Sequence, residues 1–182
     1  EKDETNEQAH ARMIESACHW AAKKGHTQVD KVDVLIGGDL INQLSPTNFA
    51  ARSLAIPYLG VFSACASSME SVILGCLLLE SGNARTVLAG ASSHHQAVER
   101  QFRYPLEYGT QKPKTSQWTV TGAGFSLLEK DLKNTPVVTH ATIGKVVDSQ
   151  QTNPLHMGAA MASAARDTIE RHLTNTNSKM AD

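Results

Sequence analysis

Residues 86–92, Thr-Val-Leu-Ala-Gly-Ala-Ser, form an almost unbroken apolar and small run of strand length, and this run constrains the fold more than any other feature. A strand that is apolar on both sides has to be covered on both faces, as parallel strands in α/β sheets are covered by helices. The sequence before it supplies the covering layers. Thr5 and Gln8 form a capping-box pattern, Ala9, Met13, Ala17 and Ala21 recur on one helical face, and Gly25 stops the helix. The period then switches to two: Val32, Val34 and Ile36 alternate before the Gly37-Gly38-Asp39 punctuation, which predicts a strand at 32–37.

Ser45 and Pro46 place a cap and a first-turn proline ahead of a short helix that closes at Ile56-Pro57, and 58–64 reads as a second buried strand. From Ser67 to Ser81 apolar residues cover most of the helical circumference, which predicts a helix enclosed by other elements. Residues 94–117 make a long polar and aromatic connection, a candidate functional loop or lid with a short helix near 97–103. Two strands, 120–128 and 137–147, are expected to pair antiparallel, and a helix over 156–173 leads into a polar tail, 174–182. The order predicts an α/β fold with a mixed, mainly parallel five-stranded sheet layered with helices, one domain over 1–173.

Composition removes several classes of function. At 182 residues the chain is long enough for one real core, and 17 Lys+Arg against 18 Asp+Glu leave no field to recruit nucleic acid. Apolar runs such as 54–62 and 72–79 are far shorter than the roughly 18 to 20 residues a bilayer span needs, and the acidic start is no signal peptide. Three cysteines without a CxxC pair argue against a disulfide framework or structural zinc, and fit a reducing compartment.

Cys65 stands where the second strand turns into the enclosed helix. The N–H groups and dipole of that helix would favour a thiolate or a bound anion, and Ser63, Ala64, Ala66, Ser67 and Ser68 leave room for a ligand. A cysteine is otherwise a small buried hydrophobe, the reading that suits Cys18 and Cys76 on their apolar helix faces. His94 and His95 lie at the carboxyl end of the 86–92 strand, the edge where α/β sheets bind ligands; one of them facing the pocket and an exposed loop position are equally open. His140, inside a strand pattern, reads as structural. No HExxH, Walker or GxSxG motif is present, and Gly122-Ala123-Gly124 lacks the third glycine and the helix of a dinucleotide cradle. The stretch 100–105, Arg-Gln-Phe-Arg-Tyr-Pro, joins cations to aromatics, but Glu99 and Glu107 cancel its charge.

The segment 62–71, FSACASSMES, resembles the cysteine elbow of the thiolase superfamily. With GDLINQ at 38–43, ERQFRYPLEYG at 99–109, QKP at 111–113 and TVTGAG at 119–124, nearly the whole chain is similar to the stage V sporulation protein AD family of spore-forming Firmicutes. The resemblance implies a thiolase-like fold of two pseudo-symmetric α/β halves, usually homodimeric, with this chain as most of the first half, the family's opening strand missing before Glu1, and 174–182 either a polar tail or a link to the absent second half. It implies binding of dipicolinic acid, or its calcium chelate, for uptake into the developing spore, in concert with other stage V sporulation A proteins at the inner spore membrane. The protein would be peripheral there.

Cys65 is the position that carries over; His94 and Arg103 are added as ligand neighbours on position and charge alone. Ala66 departs from relatives that often have a hydroxyl residue there. No metal and no cofactor are expected. The alternative implied by the same elbow is a thiolase-type acyltransferase or condensing enzyme with Cys65 as nucleophile, whose base would come from the absent half.

Overall fold

The computed structural model describes residues 5–102, 119–130, 133–153 and 156–180. The chain divides into two compact units, Glu1–Lys133 and Asn134–Asp182. In the first, α1 (Asn6–Lys24) begins with the capping box: Thr5 Oγ1 accepts from Gln8 N, and Gln8 Oε1 accepts from Thr5 N. Its buried side is His10, Ala11, Ile14, Cys18, Ala21 and Ala22, about one residue round from the expected Ala9, Met13, Ala17 stripe. Branched Ile14 and the thiol of Cys18 bury more apolar surface than the alanines do, and they decide which way the helix turns.

The sheet has four strands among the described residues, in the order β2-β1-β3-β4. β1 (Val34–Asp39) runs parallel to β2 (Tyr58–Gly60) and to β3 (Thr86–Ser93), and β4 (Gly122–Glu129) runs antiparallel to β3. Alternation sorts the side chains onto two faces. Leu35 and Leu88 face α1 and α2 (Ser45–Leu54), where they meet Ile14, Cys18, Val29, Val32, Ala50 and Ala51. Val34, Ile36, Val87 and Ala89 face the other way, toward α3 (Ser67–Glu80), with Val61, Leu79 and Ala84. Burial of each large side chain contributes about 1.5 to 3 kcal/mol. Phe125 of β4 lies across Gly37 and Gly90, and a methyl at Gly90 would collide with the Gly124 carbonyl oxygen. At the amino ends of the strands the Asp33 carboxylate accepts from Arg85 N at 2.7 Å and Thr86 N at 3.0 Å, which holds its pKa below the ordinary value.

α3 is not enclosed all round in this chain. Its buried positions, Ser67, Ser71, Gly75 and Leu79, recur every four residues and lie on the sheet, whereas Met69 and Leu77 are exposed. Small residues on the packed side let the helix approach closely; Val72, Leu74, Leu78 and Leu79 join the core on the sheet side, and only Met69 and Leu77 of the apolar set point outward. α4 (His95–Phe102) follows β3 directly; the rest of the candidate lid, with Arg103, lies outside the described residues.

In the second unit the expected strand at 137–147 does not form, so the fifth strand is absent among the described residues. The segment is held by side chains along α5 (Met157–Thr176): Thr142 Oγ1 is 2.9 Å from His172 Nδ1, and Lys145 pairs with Asp167 at 3.2 Å. Val137, Ile143 and Val146 stay exposed, and alternation without a ladder partner is not enough to make a strand. His140 is exposed beside Thr139, outside any strand. No described helix is long and apolar enough to cross a membrane.

Candidate functional site

β2 ends at Gly60, and residues 61–66 carry the chain over the carboxyl edge of the sheet into α3. Ala64, Cys65 and Ala66 form one 3-10 turn, with Ala64 in the left-handed region at φ 46°. That conformation is uncommon for a residue with a Cβ and marks a sharp elbow. The turn is secured from beneath: Ser63 N donates to Ser67 Oγ at 3.0 Å, and the Ser71 hydroxyl, with one hydrogen to share, lies 2.8 to 3.0 Å from the carbonyl oxygens of Ser67, Ser68 and Gly90. Cys65 is exposed. Ala66, at the N-cap of α3, makes no side-chain cap, so the first-turn N–H groups keep their donors free of a side-chain partner there.

Cys65 opens onto a cleft of about 410 Å³ lined by the ends of β1 and β3, the elbow itself and the start of β4, including Leu40, Ala64, Ser92, Ser93 and Gly122. It is a shallow depression, open to solvent. No charged side chain is among its lining residues, which leaves backbone N–H groups and hydroxyls as the polar partners. Ser93 Oγ donates to the Val120 carbonyl and ties β3 to the segment entering β4. A larger cleft of about 570 Å³ lies between the ends of α1 and α2, with His19, Lys23 and Asp30 on its walls, and contains none of the residues singled out from the sequence.

His94 is not among the residues lining the Cys65 cleft; its ring faces His10, centroids 5.9 Å apart, and its Nδ1 is buried without a hydrogen-bond partner. His95 Nδ1 meets the Thr119 carbonyl at 3.1 Å and its N–H donates to Thr121 Oγ1 at 2.9 Å. Cys18 is buried, and burial pushes its thiol up to about 12; Cys76, half-buried, is also raised by burial.

The sequence reading missed a buried polar group on the α1 face of the same sheet edge. Asp39 accepts from Ile41 N at 2.8 Å, from Thr47 N at 3.2 Å and from the Thr47 hydroxyl. His10 Nε2 meets Ser92 Oγ at 2.8 Å, and the Tyr58 hydroxyl is buried without a partner. Burial, with the Asp39 carboxylate second, pushes the Tyr58 phenol up to about 12. Burial lowers the His10 pKa below 6.5; Asp39 and Glu7 oppose this, and His94 adds to it. A histidine four residues before Ile14 and eight before Cys18 was the available signal. Among the described residues no cluster of three or more His, Cys, Asp or Glu could hold a metal ion.

A parallel core with an antiparallel edge strand, covered by helices on both faces and turning at a cysteine elbow, is the architecture of thiolase-like proteins. The fold matches 3-oxoacyl-[acyl-carrier-protein] synthase III from Aquifex aeolicus (TM-score 0.67, 16% identity, 97% of this chain and 58% of that one). It also matches Xanthomonas campestris OleA (TM-score 0.64, 16% identity, 93% and 56%) and AbyA1, a tetronic acid condensing enzyme (0.62, 16%, 93% and 59%). Within that class the chain belongs to the stage V sporulation protein AD family, whose model matches residues 1–182. It is 44% identical over 171 residues to stage V sporulation protein AD of Bacillus subtilis, covering 94% of this chain and 50% of that protein. The chain thus spans about half the length of the curated relative it matches.

Proposed function

We propose that this chain supplies the cysteine-bearing half of a sporulation protein that binds dipicolinic acid, free or as its calcium chelate, for uptake into the developing spore, without catalysis. The observation that carries the reading is the exposed Cys65 on a cleft with no charged wall, beside a helix start that lacks a side-chain cap. A planar dianion would draw on N–H groups and hydroxyls there, and charge-assisted hydrogen bonds contribute about 1.5 to 3 kcal/mol each. At full length the protein would be a homodimer, peripheral at the inner spore membrane and partnered by other stage V sporulation A proteins. Its second half would cover the outer side of α3, where Met69 and Leu77 are exposed.

Calorimetric titration of the full-length protein with dipicolinate, with and without calcium, tests this reading. Saturable binding weakened by Cys65→Ala is the expected result; no saturation under either condition overturns it. The accessible thiol also favours a second reading, acyl transfer, in which the Cys65 thiolate attacks an acyl thioester carbonyl and the carrier thiolate leaves. A stable acyl adduct on Cys65 after incubation with acyl-CoA, seen by intact mass, would replace the binder with the enzyme.

A further inference from the structure

Ser92 belongs to two environments at once. It lines the cleft that holds Cys65, and its Oγ lies 2.8 Å from His10 Nε2 on the α1 side of the sheet. His10 is completely buried and Ser92 nearly so. Two proton arrangements satisfy this contact. Either Nε2 carries the ring hydrogen and donates to Oγ, or Nε2 accepts the hydroxyl hydrogen and Nδ1 carries the ring hydrogen.

The two differ in what they leave at Nδ1, which has no hydrogen-bond partner in the protein. The second arrangement buries an orphaned N–H, a rare and costly state; the first leaves only a lone pair. The neutral ring that both require fits a fully buried imidazole.

We propose that His10 is a positioning residue for the cleft: its Nε2–H donates to Ser92 Oγ, so that the Ser92 hydroxyl hydrogen turns into the cleft and donates to an anion bound beside Cys65. This rests on the anion-binding reading of the cleft and adds Ser92 to the residues that contact the ligand. The other arrangement would spend the hydroxyl hydrogen on His10 and present only lone pairs to an anion, which repel it.

The proton position is read directly by 15N imidazole NMR of the full-length protein. A protonated Nε2 and bare Nδ1 on His10 are expected; a protonated Nδ1 overturns the proposal whatever the protein binds. The ligand contact is read by dipicolinate titration. Ser92→Ala is expected to weaken binding about tenfold, and His10→Met comparably, while His10→Gln, whose amide N–H reaches the place of Nε2–H, restores most of the loss. Equal weakening in His10→Met and His10→Gln, tracking their melting temperatures, would mean a packing role and overturn it. If the unaltered protein does not bind dipicolinate, the function reading fails and takes the Ser92 ligand contact with it; the NMR result then still decides whether His10 orients Ser92.

Discussion

The two faces of the sheet are built on different terms. The α1 face is closed: Ile14, Cys18, Leu35 and Leu88 have no exposed surface, and even its polar groups, His10 and Asp39, are buried. The α3 face is closed only against the sheet, with small residues at the contact and Met69 and Leu77 left outside. The same chain therefore places a protected thiol on one face and an accessible one at the end of the other. Burial decides the contrast: Cys18 is enclosed, Cys76 on α3 is half-buried, and Cys65 is exposed where the elbow lifts it over the sheet edge.

Thiol labelling breaks or sharpens this contrast most strongly. At pH 8 a pKa of about 12 leaves Cys18 with roughly one thiolate in ten thousand, so the folded protein is expected to be alkylated first at Cys65, slowly at Cys76 and not measurably at Cys18. Peptide mapping after timed iodoacetamide treatment checks the order, and labelling of Cys18 before Cys65 would refute it. Next in size, Ile14→Ala should cost about 3 to 4 kcal/mol in denaturant unfolding, against no more than about 0.5 kcal/mol for Leu77→Ala. Equal costs would mean that α3 is covered in solution.

Gly90→Ala, which sets a methyl against the Gly124 carbonyl and Phe125, should cost about 2 to 3 kcal/mol, whereas Gly124→Ala, with open space at its Cβ, should change stability by no more than about 0.5 kcal/mol. The smallest effect is on pH dependence. Because the folded pKa of His10 is depressed, its contribution to stability is full above about 6.5 and is lost as pH falls from there through the folded value. Melting temperature measured against pH should show a mildly acidic decline that is flatter in His10→Gln; identical profiles would remove His10 as the cause.

Local patterns carried much of this into the sequence. The Thr5 and Gln8 capping pair and the small residues around Cys65 act over a few positions, and each appears in the fold where its physics put it, whereas β1 forms at Val34–Asp39, two residues beyond the expected 32–37, and takes in the Gly37-Gly38-Asp39 punctuation. What the sequence concealed depends on long-range pairing. His10 and Ser92 are 82 residues apart, and neither residue type announces the other. Residues 137–147 have strand alternation but no ladder partner among the described residues, and alternation cannot state whether a neighbour exists. The orientation of α1 departs from the Ala9, Met13, Ala17 stripe because Ile14 and Cys18 on the adjacent face bury more apolar surface than the alanines do.

Ser71 joins the opening turn of α3 to the Gly90 carbonyl of β3, two residues before Ser92. Thiol and hydroxyl are thereby mounted on one backbone frame, and their spacing is set by main-chain anchorage more than by side-chain freedom. On the proposed anion-binding reading, a ligand that spans the two would meet a fixed gauge, and selection by the length of the anion would then be a property of the scaffold itself.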